Sequence, residues 1–332
     1  MGPSDRARVV AIVNRRARRL EATPGAHPLL DALRARRPNV RVIETSSMEE
    51  LDAAAEDLAR EVPDAIVLAG GDGSYMAGIT ALVRAFAAAG RSEDALPAIA
   101  LAPGGTVSTV ARNWGFRGGG LFSRGEDQAA RYAARLLDAV SRGRARATLR
   151  PTLRAKDDDT ERVGFIFGAG LVSRFFEVYD EEGARGYRGA ASIVARIFAG
   201  SFSHGVLAER VLTPVPCILE VDGVRAKEDK ASLVCASVVR DLGIGMRLLY
   251  RAAEEHDRFH VVATPLGPAK LGPQLPLVLA GKPLLGAGNV DTLARTLELR
   301  FEGGGAYVLD GELLRTERVR VTAGPVLRIL SV

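Results

Sequence analysis

Over the first 150 residues or so, short apolar runs alternate with segments whose apolar positions recur at helical spacing. The apolar runs predict strands over residues 9–13, 40–43, 65–69 and 98–102. The intervening and following segments predict helices over residues 28–37, 46–60, 75–89, 106–114 and 128–140. Continuously apolar strands that alternate with helices are typical of a parallel sheet covered on both faces. We therefore expect an α/β domain whose ligand lies beyond the carboxyl ends of the strands.

The pattern changes after Arg150, where short runs rich in Val, Ile and Leu are separated by turns that contain Gly, Pro or Asp. They predict strands over residues 164–167, 217–221, 233–238, 259–262, 296–301, 306–309, 318–322 and 326–330. Many short strands between turns are typical of an antiparallel β-sandwich. One helical insertion is predicted near residues 190–199. We place the boundary between the two domains at residues 147 and 148.

That inserted segment, residues 186–200, carries Arg188 and Arg196, while Ile193, Ile197 and other apolar residues share one helical face. Such a helix is either an ordinary core helix or a lid or membrane-docking element beside a lipid site.

Composition narrows the class of protein. Hydrophobic residues make up 47% of the 332 positions and charged residues 26%, which is typical of a globular chain with a large core. No apolar run is long enough to span a bilayer, and the N-terminus has no signal-peptide pattern, so a cytoplasmic location is expected. Cys217 and Cys235 lie in apolar runs, and with four scattered histidines no zinc site is predicted.

The net charge of +5 is carried largely by arginine. Clusters of this kind suit phosphates or an anionic membrane surface, although a solvated surface explains them equally well. Aromatic residues are only 5% and do not interleave with the arginines, which argues against nucleic acid. The clustered residues are Arg15, Arg16, Arg18, Arg19, Arg34, Arg36 and Arg37.

Two glycine-rich turns follow predicted strands, Gly-Gly-Asp-Gly at 70–73 and Pro-Gly-Gly-Thr at 103–106. A glycine turn between a strand and a helix lets a phosphate approach backbone N–H groups at the helix N-terminus. A carboxylate beside a phosphate is repelled, so Asp72 needs Mg²⁺ as a bridge, or takes a proton from a hydroxyl, or simply caps a helix. Two such turns on successive strands predict a nucleotide site, in which Thr106 and Ser108 are expected to hydrogen-bond to phosphate or ribose oxygens.

A third element, Tyr-Val-Leu-Asp-Gly-Glu at residues 307–312, lies far along the chain. It is either a β-hairpin turn built on Asp-Gly or a pair of carboxylates, Asp310 and Glu312, that serves the active site.

Taken together, Asn14 after the first strand, Thr45 after the second, the two glycine turns and the late Asp-Gly-Glu resemble the diacylglycerol-kinase catalytic-domain superfamily, which includes sphingosine and ceramide kinases and bacterial lipid kinases. The resemblance implies an NAD kinase/diacylglycerol kinase-like α/β domain over residues 1–147 that binds ATP, and a β-sandwich lipid-binding domain over residues 148–322. It also implies that residues 323–332 return to the first domain. Asp310 and Asp72 become candidate Mg²⁺ ligands, and Asp72, Asp310 and Glu312 candidate catalytic residues, with the general base left open. The residues implied around the nucleotide are Asn14, Arg15, Thr45, Gly70, Gly71, Gly73, Ser74, Gly104, Gly105 and Thr106.

The chain departs from that family at two places, where an Asn-Glu pair is replaced by Met76 and Ala77 and an Asn-Asp pair by Ser108 and Thr109. We expect an ATP-dependent lipid kinase, and the departures favour ceramide or a sphingoid base over diacylglycerol. The alternatives are an NAD kinase-like or phosphofructokinase-like small-molecule kinase and a non-catalytic lipid- or nucleotide-binding protein. The expected partners are a lipid and the inner face of a membrane; a homodimer is left open.

Overall fold

The computed structural model describes residues 8–16, 28–35, 40–104, 107–116, 125–158, 160–184 and 186–332, which form two compact units. The first unit contains the described residues up to Arg150 together with Pro325–Val332, and the second is Pro151–Gly324. The division falls slightly later than the predicted 147/148 and 322/323. The reason is that one edge strand, Arg146–Arg150, pairs with the strand Leu327–Ser331 and so belongs wholly to the first sheet.

Strands and helices alternate in the first unit, as the apolar runs predict. The strands are β1 (Val9–Asn14), β2 (Val40–Thr45), β3 (Ala65–Gly70), β4 (Ala98–Pro103), β5 (Arg146–Arg150) and β17 (Leu327–Ser331). The helices are α1 (Pro28–Arg34), α2 (Met48–Glu61), α3 (Asp72–Ala88), α4 (Thr109–Asn113) and α5 (Gly125–Ser141), with a 3-10 turn at Glu93–Ala95.

These strands form a six-stranded sheet in the order β2-β1-β3-β4-β17-β5. All neighbours are parallel except β17 and β5, which confirms the predicted α/β class. Every residue of β3 is buried, because helices cover both faces of a parallel sheet. The carboxyl ends of β1, β2, β3 and β4 therefore lie along one edge of the sheet.

Helix α2 shows how local sequence fixes an element beside that edge. Ser47 is its N-cap and accepts the backbone N–H of Glu50 at 3.2 Å, while the Glu50 side chain accepts the N–H of Ser46. This arrangement is close to a capping box. It places the chain between Thr45 and Met48 at the end of β2.

The second unit is mainly antiparallel. Its strands are β6 (Leu153–Lys156), β7 (Glu161–Gly164), β8 (Ile166–Gly170), β9 (Val215–Val221), β10 (Val224–Arg225), β11 (Lys230–Ala231), β12 (Leu233–Ser237), β13 (Phe259–Thr264), β14 (Val290–Ala294), β15 (Thr296–Leu309) and β16 (Glu312–Ala323). The sheet runs β14-β13-β12-β8-β15-β16-β6-β7, with β9 beside β15 and the short β10 and β11 beside β9. The predicted antiparallel class is confirmed.

Two strand predictions in this unit are wrong. Residues 296–301 and 306–309 form the single strand β15, whose register against β16 shifts between Arg300 and Gly305. A side chain at Gly305 would collide with the Phe301 ring, so glycine is required at this bulge. Across the bulge β15 changes neighbour from β9 to β8, as strands that serve two layers of a sandwich do. Residues 164–167 are not one strand either, because the ladder breaks at Phe165 between β7 and β8.

A buried polar group fixes the loop between β6 and β7. Asp157 accepts hydrogen bonds from the Tyr307 hydroxyl at 2.6 Å and from Arg162 at 2.8 Å. Burial acts to raise the pKa of Asp157, but these donors and the Thr160 N–H prevail and hold the pKa at about 2.

The prediction of one helical insertion in the second unit is wrong. The unit contains the helices α6 (Leu171–Glu181), α7 (Gly186–Gly200), α8 (Val206–Leu212), α9 (Pro268–Leu271) and α10 (Leu275–Leu279), and a 3-10 turn at Gly272–Gln274. The helices and the sheet share an apolar cluster, to which Ile193, Ile197 and Leu271 contribute from the helices. None of the helices in the described part of the chain is long and apolar enough to cross a membrane.

Candidate functional site

The two predicted glycine turns lie side by side in the first unit. They follow the neighbouring parallel strands β3 and β4, and Gly70 is paired with Pro103. The Gly104 N–H donates to the Gly70 carbonyl at 2.7 Å, so the turns are joined directly by a backbone hydrogen bond. The Tyr75 hydroxyl, fully buried, donates to the Ala102 carbonyl at 3.0 Å and ties the first turn of α3 to the end of β4.

The structure gives Gly70 and Gly104 a packing role that the sequence does not show. A Cβ at Gly70 would lie 2.5 Å from the Cβ of Ser74 in the next helical turn. A Cβ at Gly104 would lie 3.0 Å from Leu29 and 3.4 Å from the backbone of Gly70. Glycine is therefore needed for close contact between the two turns themselves, whether or not a phosphate approaches them.

Asp72 connects the same two turns through its side chain. It is the first residue of α3, and its carboxylate oxygens accept the backbone N–H groups of Thr109 at 2.7 Å and Val110 at 3.0 Å. It thus caps the following helix, α4, rather than its own. Burial raises the pKa of the Asp72 carboxyl, against the opposing effect of the Val110 and Thr109 hydrogen bonds.

Ser108, whose predicted role as a phosphate or ribose ligand stays a prediction, lies directly before α4. It is buried, has the left-handed backbone conformation at φ 51°, and its side chain is hydrogen-bonded to Tyr75. Ser108 and Thr109 replace the family's Asn-Asp pair, and in this chain both are buried between the turns. Gly105 and Thr106 lie outside the described residues, so their predicted roles stay predictions.

Asn14 and Ser74 meet at the ends of β1 and β3. The Asn14 amide donates to the Ser74 hydroxyl at 3.0 Å, and its carbonyl oxygen accepts the Arg16 N–H at 2.9 Å. Thr45, buried at the end of the adjacent β2, hydrogen-bonds weakly to the Val13 carbonyl at 3.4 Å. Three of the predicted nucleotide residues are therefore neighbours across three parallel strands.

A pocket of about 140 Å³ opens at this place. One side is polar and is formed by the side chains just named and by Ser46 and Ser47 at the start of α2. The lining also contains apolar residues, and these include Ala77, where the resemblance noted above implies glutamate. The full lining is Ile12, Asn14, Arg16, Thr45, Ser46, Ser47, Met48, Leu51, Leu68, Ala69, Ser74, Ala77 and Gly78.

Arg15 is held by a partner that the sequence analysis missed. Its guanidinium pairs with Glu44 at 2.9 Å, and Arg34 pairs with the same carboxylate at 2.5 Å. Burial acts to raise the pKa of Glu44, but the hydrogen bonds from Arg34 and Arg15 outweigh it and lower the pKa. A ligand phosphate at Arg15 would have to compete with this ion pair.

The late Asp-Gly-Glu segment forms the predicted hairpin turn, between β15 and β16 of the second unit. Asp310 and Gly311 both have positive φ, 49° and 91°, as a two-residue type I′ turn requires. The Asp310 carboxylate is buried and accepts the N–H groups of Phe165, at 2.9 Å, and Ile166, also at 2.9 Å. These are the donors left free where the ladder breaks between β7 and β8.

Glu312, at the start of β16, is different. It is exposed, and its side chain makes no hydrogen bond or ion pair with any residue that the structure describes. Of the three predicted catalytic carboxylates, Asp72 and Asp310 bind pairs of backbone N–H groups, and Glu312 alone has both oxygens available.

The predicted metal roles of Asp72 and Asp310 stay predictions; in the structure the carboxylate oxygens of both accept backbone N–H groups. Within the described ranges, no group of three or more His, Cys, Asp and Glu side chains is placed to hold a metal ion. The sequence analysis also missed Tyr75. Its sequence position gives no signal of the hydrogen bond that its hydroxyl makes with the Ala102 carbonyl.

Comparison with known proteins gives a family match over part of the chain. Residues 8–145 match the family described as the diacylglycerol kinase catalytic domain. A comparison with curated proteins gives no match.

Among solved structures, the fold is similar to a diacylglycerol kinase from Bacillus anthracis str. Sterne, with 16% identity and a TM-score of 0.58 over 99% of this chain and 98% of the other. A candidate diacylglycerol kinase from the same organism has 17% identity and a TM-score of 0.64, over 100% of this chain and 98% of its own. At such identities the likeness concerns the fold. Residues 8–145 thus match the diacylglycerol kinase catalytic-domain family, and the whole chain has the fold of these solved structures.

Proposed function

We propose that this protein is an ATP-dependent lipid kinase that phosphorylates a primary hydroxyl of ceramide, a sphingoid base or diacylglycerol at a membrane surface. The observation that carries the proposal is the pair of glycine turns joined at the ends of β3 and β4, inside the segment that matches the diacylglycerol kinase catalytic domain. Kinases of this family use ATP and typically a divalent metal.

The pocket beside Asn14, Thr45 and Ser74 is our candidate for the nucleoside part of ATP. Its polar side offers amide and hydroxyl groups, and its apolar side suits a flat ring. The phosphates would then lie toward the N-terminus of α3, where backbone N–H groups and the helix dipole favour negative charge. Mg²⁺ would arrive with the ATP phosphates.

In the reaction, the lipid oxygen forms a bond to the γ-phosphorus while the bond to the bridging oxygen of ADP breaks. The hydroxyl proton passes to a carboxylate. We propose Glu312 as that base, because its oxygens have no competing partner among the described residues. Asp72 and Asp310 would be positioning residues, which hold the turns and the hairpin through their backbone hydrogen bonds.

The test is a phosphate-transfer assay with γ-labelled ATP and, separately, diacylglycerol, ceramide, sphingosine, NAD and fructose 6-phosphate. We expect a labelled lipid and no labelled NAD or sugar. A labelled NAD or sugar without a labelled lipid would refute the proposal in favour of a small-molecule kinase. No product with any substrate, while ATP still binds, would favour a non-catalytic binding protein.

The assignment of the base needs a second comparison. Glu312→Gln should lower the turnover rate by about 100-fold or more and leave the unfolding free energy unchanged, since general-base catalysis contributes about 10²–10⁴-fold. Wild-type turnover of this variant would return the role to Asp72 or Asp310.

A further inference from the structure

Two segments of the second unit lack acidic residues altogether. They are residues 186–208, which contain α7 and the start of α8, and residues 260–290, which contain α9 and α10. Both are rich in apolar residues, and their charged residues are arginine and lysine. Because the whole chain has 40 acidic residues, their absence from two segments of this length sets these segments apart.

The fold brings the two segments together. A side chain at Gly272 would collide with Ser201 at the end of α7 and would lie 3.2 Å from Leu212 in α8. The side chain of Gln274 accepts the Leu285 N–H at 2.7 Å and donates to the Leu285 carbonyl at 2.8 Å. The 3-10 turn at Gly272–Gln274 thus holds the α7–α8 turn on one side and the loop at Leu285 on the other.

Large apolar side chains are exposed around this 3-10 turn. In the second unit, the described residues include five exposed large apolar side chains, and four of them belong to these two segments. They are Phe202 at 63% exposure, Val206 at 87%, Leu279 at 45% and Leu285 at 65%.

The backbone presents Phe202 to solvent in a defined way. The Gly205 N–H donates to the Gly200 carbonyl at 2.8 Å, which closes a tight turn with Phe202 near its tip. The Phe202 ring packs edge-on against Phe198 at 5.1 Å, so an aromatic pair is held in place at the surface. Phe202 is exposed and Phe198 is half-buried, and exposed apolar patches are a feature of interaction surfaces.

Four cations accompany these apolar residues, and no ion pair binds any of them within the described part of the chain. Arg247 lies beside α10, since its backbone N–H donates to the Val278 carbonyl at 3.1 Å. The four are Arg188, Arg247, Lys270 and Lys282, all exposed. Elsewhere in the unit arginines commonly pair with carboxylates, as Arg210 does with Glu181, Arg295 with Asp257 and Arg315 with Glu177.

We propose that these four apolar and four cationic side chains form a docking surface for a lipid bilayer with anionic headgroups. Apolar side chains that enter the acyl boundary and cations that meet anionic headgroups are the two contributions to interfacial binding. A second copy of this chain is a poorer occupant, because two such surfaces would place like charges opposite each other. The proposal rests on the proposed function in that a lipid substrate requires access to a membrane.

The test is flotation of the purified full chain with vesicles of phosphatidylcholine alone and of phosphatidylcholine mixed equally with phosphatidylglycerol. We expect binding to the anionic vesicles and much weaker binding to the neutral ones. Replacement of Phe202, Val206, Leu279 and Leu285 by serine should weaken binding about tenfold or more, as the lost apolar burial implies. Lys270→Glu with Lys282→Glu should remove the preference for anionic vesicles.

Val224→Ser is the matched control. Val224 is 71% exposed in the same unit, but it lies on the short strand β10, outside both segments. This variant should bind vesicles like the wild type. Unfolding midpoints equal to that of the wild type would show that the serine and glutamate variants remain folded.

The docking surface would be refuted if the serine and glutamate variants bound anionic vesicles like the wild type. It would also be refuted if light scattering showed a dimer that the serine variant lost. An assay of phosphorylation of a short-chain monomeric lipid distinguishes failure of the docking surface from failure of the proposed function. Activity on that lipid without vesicle binding would overturn the docking surface alone, and vesicle binding without any lipid phosphorylation would overturn the proposed function alone.

Discussion

The substitution Asp72→Ala should destabilise the first unit, because it removes the acceptor for two buried backbone donors. The N–H groups of Thr109 and Val110 both point at the Asp72 carboxylate, and both residues are buried. The methyl side chain of alanine offers these two donors no acceptor in place of the carboxylate. The connection between the two glycine turns would then depend on the Gly104 and Tyr75 hydrogen bonds.

The size of the effect follows from the number and kind of these bonds. A hydrogen bond to a charged group contributes about 1.5–3 kcal/mol, so the two together contribute about 3–6 kcal/mol. Burial of the carboxylate, which raises its pKa, offsets part of this stabilisation. We expect a net loss of about 2–4 kcal/mol for Asp72→Ala and about half of that for Asp72→Asn, since the amide keeps one acceptor oxygen.

Urea unfolding followed by circular dichroism measures the change, with calorimetric titration of ATP as the functional readout. The midpoint should fall at an unchanged slope, and ATP affinity should fall with it because the two turns lose their alignment. Asp94→Ala is the matched control, since Asp94 is exposed in the same unit and makes no hydrogen bond in the described structure. An Asp72→Ala midpoint equal to that of the control would refute the assigned role.

The pH dependence has a definite sign. A carboxyl whose pKa is raised in the folded state binds protons more readily there than in the unfolded chain. Its contribution to the unfolding free energy is therefore fully present below the ordinary value near 3.8 and is lost as the pH rises through the raised pKa. The advantage of the wild type over Asp72→Asn should accordingly grow as the pH is lowered toward 4.

Three further changes test other parts of the structure. The pKa of Asp157 is about 2 against an ordinary 3.8, so its carboxylate contributes about 2 kcal/mol at neutral pH. This contribution should be lost as the pH falls from about 4 to about 2, and urea titrations of Asp157→Asn should lack that dependence. Gly70→Ala should cost about 1–3 kcal/mol because of the contact with Ser74, whereas Gly267→Ala, with open space around it, should be nearly neutral in the same assay. Ala77→Leu should fill the pocket at the end of β1 and weaken ATP binding in calorimetry without lowering the unfolding midpoint.

How far the sequence predicts the fold differs between the two units. In the first unit, continuously apolar runs such as residues 65–69 have few alternatives to a buried parallel strand, and the structure has strands there. In the second unit the local signal is ambiguous. The glycines near residue 303 read as a turn, yet they form a bulge inside β15, because the tertiary pairing with β16 decides between the two.

The site shows a similar division. Asn14 and Thr45 lie at strand ends, and Ser74 lies in the first turn of the helix that follows β3. Parallel pairing of β1 with β2 and β3 brings these ends together, so the proximity of the three residues follows from the sequence pattern. The orientation of a carboxylate does not follow. Whether Asp72 faces a ligand or the N–H groups of Thr109 depends on the backbone path of a turn more than thirty residues away. The same limit applies to Asp310, whose partners are Phe165, between β7 and β8, and Ile166, at the start of β8.

The place of β17 in the first sheet has a consequence for synthesis on the ribosome. β17 lies between β4 and β5, but it is translated only after the whole of Pro151–Gly324. The second unit can therefore complete its sheet while the first still has a gap between two of its strands. A nascent chain that stalls before Leu327 would expose unpaired edges of β4 and β5, and such edges invite aggregation and recognition by chaperones.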